Sequence, residues 1–258
     1  MWNNRRREYR SKTDGVNIMR KRLTKAQYRR KKKMKRLLIL SSLVLMLVTG
    51  VCLLGGGISK ILQGGLFGVM SKPTLKMIDG FYDSLNIEEM LLTPNEYSRP
   101  ETGLKKVKGV VIHYTANPGT DAEANRNYFE GLKEGKTYAN GNYIYSSSNF
   151  IIGLKGNIIQ CVPLNEVAYA SNGRNEDTIS IEVCHPDETG KFTKKSYKSL
   201  VKLTAWICSE YNLKKEDIIR HYDVTGKICP KYFVENEEDW EQFKEDVFKV
   251  IEENAKNK

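Results

Sequence analysis

The sequence predicts an α/β fold: a single domain with a central mixed β-sheet flanked by helices, preceded by one N-terminal transmembrane helix. Three observations indicate this. From about residue 105, short runs of β-branched residues alternate with longer stretches of helical periodicity, as expected of a sheet covered by helices. An uncharged, largely apolar run occupies residues 37–58, and a strongly basic segment precedes it.

The basic segment, residues 1–36, carries the positive charge of the chain. It contains 16 Lys and Arg residues against Glu8 and Asp14, a net charge of +14, whereas the whole chain has +11. The other 222 residues therefore have a net charge of −3. We expect no nucleic acid partner for the body of the protein. The basic run at residues 29–33 is dense enough that nucleic acid or anionic lipid stays an alternative partner for the basic segment.

Residues 37–58 are long enough to cross about 30 Å of hydrocarbon as a helix. A secretory signal peptide is the competing interpretation, but it would have a shorter apolar stretch and a small-x-small cleavage site. Because basic residues are concentrated on the N-terminal side of this run, the N-terminus is predicted to be cytoplasmic. We therefore expect a single-pass protein of the cell membrane with its C-terminal body outside the cell.

Residues 59–90 read as a juxtamembrane stalk, because glycines and Pro73 interrupt the apolar residues. A short amphipathic helix is predicted across Leu75–Leu85. The folded domain is predicted to cover residues 91–258. Its first segment is predicted to be extended, because a residue that precedes proline disfavours the helical conformation, as before Pro94 and Pro100.

Four strands are predicted in this domain from apolar runs and alternation. The last of them places Ile179, Ile181 and Val183 on one face and Glu182 on the other. A hairpin is predicted where Lys155-Gly156 separates the second and third strands. The predicted strands are Val107–His113, Asn149–Leu154, Asn157–Val162 and Thr178–Cys184.

Three helices complete the predicted α/β pattern. Residues 121–133 have helical periodicity, and Asp121 is a suitable N-cap. Residues 196–211 carry apolar side chains at helical spacing, which indicates a helix that packs on the core. A final amphipathic helix is predicted from about Glu237 to Glu253.

Three side chains suggest a metal site: His113 at the end of the first strand, and His221 and Cys229 in one polar segment. Two imidazoles and a thiolate suit zinc, and three protein ligands leave one position open, as in catalytic sites. Taken singly, each has an ordinary interpretation as a strand-end or loop residue. Glu182 is unusual because a carboxylate among Ile and Val is costly unless it is paired.

The other histidine and cysteines are assigned no role in this site. His185 directly follows the strand of Glu182, but its place in the alternation does not favour metal binding. Cys161 and Cys184 could form a bridge outside the cell, or could simply be buried thiols. Cys208 is expected in the helical core and Cys52 in the membrane.

Residues from about 90 to 250 resemble the type-2, zinc-dependent N-acetylmuramoyl-L-alanine amidases, a family related to peptidoglycan recognition proteins and phage amidases. No single motif is decisive, but their order and spacing match this family across the domain. The matching segments are Gly109-Val-Val-Ile-His113-Tyr-Thr-Ala, Ser148-Asn-Phe-Ile-Ile, Gly156-Asn-Ile-Ile-Gln, Thr178-Ile-Ser-Ile-Glu182 and Arg220-His-Tyr-Asp-Val-Thr-Gly-Lys-Ile-Cys-Pro230.

The resemblance implies that His113, His221 and Cys229 bind Zn²⁺, and that Glu182 and Lys227 are the catalytic pair. It further implies that peptidoglycan is the substrate and that the amide between N-acetylmuramic acid and L-alanine is cut. The alternative is a peptidoglycan-binding module of the same fold without catalysis. Many members of the family have adjacent Trp and His residues at a position where this sequence has Tyr169-Ala170. The sequence departs from the family at this point.

Overall fold

A six-stranded mixed sheet forms the centre of the computed structural model, which describes residues 76–77 and 80–256. The strands lie in the order β2-β5-β4-β6-β3-β7. The β4–β5 pair is antiparallel and the other neighbouring pairs are parallel. The strands are β2 (Ile87–Glu89), β3 (Gly109–Tyr114), β4 (Phe150–Ile152), β5 (Ile158–Gln160), β6 (Thr178–Val183) and β7 (Ile218–Arg220).

The described residues also form two further strands and five α-helices. Strands β1 (Lys76–Met77) and β8 (Ala255–Lys256) pair with each other as an antiparallel ribbon. The helices are α1 (Ala122–Glu130), α2 (Lys194–Tyr211), α3 (His221–Thr225), α4 (Lys231–Glu235) and α5 (Glu237–Glu253). The predicted class, a mixed sheet flanked by helices, is therefore confirmed for the described residues.

Apolar side chains form a layer on each face of the sheet. On one face, α2 and α5 pack on the side chains that include Ile179 and Ile181 of β6. On the other face, α1 packs on Ile151 and Ile159 of the β4–β5 hairpin. The alternation along β6 therefore points Glu182 away from the α2 and α5 layer, as the sequence predicts.

Local sequence signals explain several element boundaries. Helix α1 begins after Asp121, whose side chain accepts a hydrogen bond from the backbone N–H of Ala124 at 2.9 Å. The predicted hairpin turn is present, and Gly156 adopts a φ of +84° there. A Cβ at this position would lie 2.9 Å from the carbonyl oxygen of Lys195, so both the conformation and the space require glycine.

The predicted boundary between stalk and domain needs correction. Ile87–Glu89 lies within the predicted stalk, yet it forms strand β2 and pairs with β5. Phe81 and Leu85 are buried in the larger core. The described part of the predicted helix at residues 75–85 contains strand β1 and a 3-10 turn, Asp83–Leu85. The folded unit begins before residue 91 because these apolar side chains complete the core.

The predicted basic arm (1–36), the transmembrane helix (37–58) and the upstream part of the stalk lie outside the described residues. They stay predictions. Across residues 76–77 and 80–256, none of the helices has the length and apolar character that crossing a membrane would require.

The four cysteines of the described region are free thiols, and all are buried. Cys161 and Cys184 are therefore not bridged in this structure, and they fit the interpretation as buried thiols. Burial raises the pKa of both thiols to about 12, so neither is a thiolate at neutral pH. Cys208 lies on the buried face of α2 and is 1% exposed, as predicted. Cys52 lies outside the described residues.

Candidate metal centre and active site

The topology of the sheet brings three distant residues to one place. His113 lies near the carboxyl end of β3, which is parallel to β7 on one side and to β6 on the other. His221 opens helix α3 directly after β7, and Cys229 lies in the loop after that helix. Because parallel strands end at the same edge of a sheet, the chain positions both histidines side by side.

The potential ligand atoms of His113, His221 and Cys229 all lie within 4.8 Å of one another. Nδ1 of His113 is 3.7 Å from Sγ of Cys229, and the two imidazole rings are 4.8 Å apart at their centroids. The three residues are buried, with exposed fractions of 1%, 7% and 2%. A set of soft donors held this close and shielded from water is typical of a metal site.

The protonation states of this triad depend on burial. Burial lowers the pKa of His113 well below 6.5, and the neighbouring His221 and Lys227 lower it further. Burial and Lys227 also lower the pKa of His221. Both imidazoles are therefore neutral and able to act as metal ligands at neutral pH. Burial raises the pKa of the Cys229 thiol to about 12, which a bound dication would reverse.

The triad fits a zinc ion by donor type and by spacing. Tetrahedral zinc with Zn–N of about 2.0 Å and Zn–S of about 2.3 Å places nitrogen and sulfur ligands about 3.5 Å apart. The 3.7 Å between Nδ1 of His113 and Sγ of Cys229 is close to that value. The cluster in the described residues has three members, which would leave a fourth position for a water or a substrate oxygen.

Glu182 lies beside this triad. It is the direct register partner of His113 across β3 and β6, and its Oε1 lies 4.0 Å from Nδ1 of His113. Its other oxygen, Oε2, is shielded from solvent and has no hydrogen-bond partner in the described residues. Burial raises the pKa of Glu182 to about 8, while the positive charge of Lys227 acts in the opposite direction. A buried carboxyl group with a strongly raised pKa beside a cluster of metal-binding side chains is typical of a functional group.

Lys227 lies in the exposed loop between α3 and Cys229. Its positive charge lowers the pKa of His113, His221 and Glu182, so its ammonium group acts electrostatically on all three. Gly226 precedes it with a φ of +80° at the end of α3, and the N–H of Gly226 donates to the carbonyl of Tyr222 at 2.8 Å. This turn directs the chain back toward the triad and leaves the side chain of Lys227 exposed.

Two further residues hold the imidazole rings. Oγ of Ser171 is 3.2 Å from Nε2 of His113, and Oδ1 of Asn172 is 3.0 Å from Nε2 of His221. An amide oxygen only accepts, so Nε2 of His221 carries the proton and Nδ1 is left with a free lone pair. At His113, the hydroxyl of Ser171 contacts Nε2, and the other ring nitrogen, Nδ1, faces Cys229. Partners of this kind fix the orientation of metal-binding histidines.

Five residues are predicted here from the sequence, and the structure brings all five together, while their chemical roles stay predictions. The sequence does not identify Ser171 and Asn172, because nothing local to these residues indicates contact with histidines 58 and 49 positions away. The available signal is the Asn172-Gly173 pair, which marks a turn. His185 lies outside the triad, with its Nδ1 2.7 Å from the carbonyl oxygen of Asp187.

With this geometry established, comparison with known proteins gives a consistent result. The model of the Amidase_2 family, described as N-acetylmuramoyl-L-alanine amidase, matches residues 103–232. That range covers half of the chain and includes all five predicted site residues together with Ser171 and Asn172.

Individual relatives agree with the family match. The N-acetylmuramoyl-L-alanine amidase CwlL of Bacillus licheniformis is 32% identical over 169 residues, which are 61% of this chain and 45% of that protein. BlyA of Bacillus subtilis (strain 168), with the same described activity, is 31% identical over 171 residues, 58% of this chain and 43% of that protein. This chain therefore spans less than half the length of either relative. The solved structure of PlyL superposes with a TM-score of 0.51 at 27% identity, covering 62% of this chain and 96% of PlyL.

Proposed function

This chain belongs to the N-acetylmuramoyl-L-alanine amidase family, and we propose that it is a zinc-dependent peptidoglycan hydrolase. The bond cut is the amide between N-acetylmuramic acid and the L-alanine of the stem peptide. The observation that carries the proposal is the buried triad of two histidines and one cysteine, with the unpaired carboxylate of Glu182 4.0 Å from one of them.

In the proposed mechanism His113, His221 and Cys229 hold the metal ion. A bound zinc ion would polarise the scissile carbonyl and lower the pKa of water in the site to about 7. Ser171 and Asn172 keep the two rings in the tautomer that presents Nδ1 to the metal. The burial of the triad excludes bulk water, which strengthens the electrostatic interactions of the reacting groups.

Glu182 acts as general base and then as general acid. Its carboxylate accepts a proton from the attacking water and later donates that proton to the departing amine of L-alanine. An amide needs this second transfer because an unprotonated amine is a poor leaving group. Burial raises the pKa of Glu182 to about 8 against the opposing charge of Lys227, which makes its carboxylate a stronger base than a solvated one. A bound dication would lower this pKa and favour the ionised form that a general base needs.

Lys227 stabilises the developing oxyanion. The carbonyl oxygen gains negative charge as the tetrahedral intermediate forms, and a cation within reach lowers the energy of that state more than that of the substrate. Its position two residues before Cys229 ties the ammonium group to the metal site, while its exposure lets it adjust to the substrate.

We place the enzyme in the cell membrane, with the 37–58 segment as a single span, the N-terminus in the cytoplasm and the catalytic domain facing the wall. The uncharged run and the basic arm before it support this proposal. Protease treatment of intact cells tests it. Digestion of the catalytic domain without lysis is expected, whereas protection of that domain until lysis would contradict the orientation.

The activity is tested by digesting purified peptidoglycan with the full chain, zinc-loaded or chelator-treated, and by quantifying new N-terminal alanine. We expect release with zinc, no release after chelation, and loss of release in Cys229→Ala. Zinc-loaded protein that binds the wall without exposing alanine would favour the non-catalytic binding module. New reducing sugar ends would mean that a glycosidic bond is cut instead.

A further inference from the structure

Four tyrosine rings form a continuous row on the surface of the domain. The ring centroids of Tyr143 and Tyr97 are 5.1 Å apart, those of Tyr97 and Tyr145 are 5.6 Å apart, and those of Tyr145 and Tyr169 are 5.8 Å apart. We call these four residues the tyrosine ladder. Neighbouring rings at these separations are in contact, so the ladder is one aromatic surface.

This surface remains open to solvent. Tyr143 and Tyr145 are each 51% exposed, while Tyr97 and Tyr169 are half-buried behind them. Monomeric proteins rarely leave contiguous apolar surface exposed, and such surface marks binding sites. Tyrosine suits this use because its ring is rigid and its hydroxyl can form hydrogen bonds at the edge of a contact.

The backbone that carries the ladder is held by hydrogen bonds from one segment to the next. The N–H of Ser146 donates to the carbonyl of Tyr97 at 3.1 Å, and the N–H of Ser147 donates to the carbonyl of Tyr169 at 3.0 Å. The N–H of Tyr169 in turn donates to Oγ of Ser147 at 2.9 Å. The backbone segments that carry the rings are therefore fixed to one another before a ligand binds, which lowers the entropy cost of binding.

The ladder leads directly to the metal triad. Tyr169 lies two residues before Ser171, a separation of at most about 7 Å along the backbone. Oγ of Ser171 is 3.2 Å from Nε2 of His113. A polymer that occupied the ladder would thus have its nearer end beside the reacting groups.

The charge next to the ladder restricts the class of ligand. The phenol of Tyr97 donates a hydrogen bond to the carboxylate of Glu96, which raises the pKa of that phenol to about 12. The charge of Glu96 also contributes to the raised pKa of Tyr169, after burial and Tyr145. The negative charge of Glu96 disfavours binding of the carboxylates of a stem peptide. It does not repel neutral sugar rings, and its oxygens can accept hydrogen bonds from sugar hydroxyls.

We propose that the tyrosine ladder binds the glycan strand of peptidoglycan, with successive pyranose rings packed on its rings. The C–H groups on one face of a pyranose match the apolar, electron-rich face of a phenol ring, and the sugar hydroxyls meet the phenol hydroxyls at the rim. This inference rests on the proposed amidase function and deepens it. The enzyme would act on muramic acid residues within a polysaccharide in preference to short fragments.

The test compares two substrates in the full zinc-loaded chain: long glycan strands bearing stem peptides, and a monomeric muramoyl-peptide. For the double variant Tyr143→Ala/Tyr145→Ala we expect kcat/KM on the long strands to fall about tenfold, mainly through KM. The monomer should be cut at the wild-type rate. Tyr143→Phe/Tyr145→Phe keeps the rings and should retain most of the affinity. Tyr138→Ala is the matched control, since Tyr138 is 57% exposed in the same loop and outside the ladder.

Equal losses on both substrates, or no loss on the long strands, would overturn the inference while leaving the amidase function intact. No cleavage of either substrate by wild type would instead overturn the proposed function. Binding of peptide-free glycan strands gives a readout that is independent of cleavage. The wild-type chain should retain them and the double alanine variant should not, whereas preferential retention of free stem peptides would contradict a glycan site.

Discussion

His113 and Glu182 are direct partners across two parallel strands, with Nδ1 of the imidazole 4.0 Å from Oε1 of the carboxylate. Strand pairing sets this distance. One pair of hydrogen-bonded strands therefore positions both a metal ligand and the proposed general base, and a shift in register would separate them. Rigid elements of this kind place catalytic groups more accurately than loops do.

Replacement of Glu182 by glutamine should abolish proton transfer without removing the metal. We expect Glu182→Gln to lower kcat by about 10²- to 10⁴-fold, because the amide can neither accept nor donate the proton in question. Zinc content, measured by atomic absorption on the purified chain, should equal that of wild type. Activity within about twofold of wild type would remove Glu182 from the mechanism.

The same variant should change how the stability of zinc-free protein depends on pH. Burial raises the pKa of Glu182 to about 8 from an ordinary value of 4.5, so between these values the folded state binds more protons than the unfolded state. The contribution of Glu182 to stability is therefore full below about pH 4.5 and is lost as the pH rises to about 8.

Urea unfolding of zinc-free wild type and Glu182→Gln across this pH window tests the sign of the effect. Other titrating groups are common to both proteins, so the difference between them isolates Glu182. Relative to the variant, wild type should become progressively less stable as the pH rises. A constant difference across the window would show that the carboxyl of Glu182 titrates normally.

Loss of the Asn172 or Ser171 contact should weaken zinc binding. Asn172 has a φ of +50°, so Asn172→Gly removes the amide oxygen without adding backbone strain. We expect this variant and Ser171→Ala to bind zinc about 10- to 100-fold more weakly in competition with a chromophoric chelator. Asn172→Asp retains an acceptor oxygen and should keep most of the affinity, whereas equal losses in Asp and Gly variants would argue against the hydrogen bond.

Removal of the Lys227 charge should slow catalysis while leaving zinc bound. Lys227→Met is expected to lower kcat by about 10²- to 10³-fold, with little change in KM, because the cation acts on charge that develops only in the transition state. The pKa of Glu182 should also rise, since Lys227 lowers it, so the acid limb of the pH–rate profile should shift to higher pH. Lys155→Met, at the β4–β5 turn, is the control and should behave as wild type.

The long elements are predicted well from the sequence, whereas several of the short ones are not. Helix α5 has the predicted bounds, and β3 and β6 differ from prediction by one or two residues, because their patterns extend over several side chains. The three-residue strands β4 and β5 are predicted because apolar runs flank the Lys155-Gly156 turn, whereas the three-residue strands β2 and β7 have no turn signal of this kind and show too little alternation. Their place in the sheet depends on pairing with distant strands.

A similar division applies to the site. Residue type and spacing select His113, His221 and Cys229, since few side chains bind zinc and the pattern is unusual. Ser171 and Asn172 are common surface residue types, and their contacts depend on how the loop before β6 folds over the sheet. The tyrosine ladder cannot be predicted from the sequence either, because its members come from three separate segments of the chain.

The β1–β8 ribbon has a consequence for engineering. Lys76 and Met77 pair antiparallel with Lys256 and Ala255, so the first and last strands of the folded unit lie side by side. A short peptide could join those ends, and new termini could be opened at another surface turn. Such a circular permutant would retain every strand pairing described above while presenting its termini at a different point on the domain.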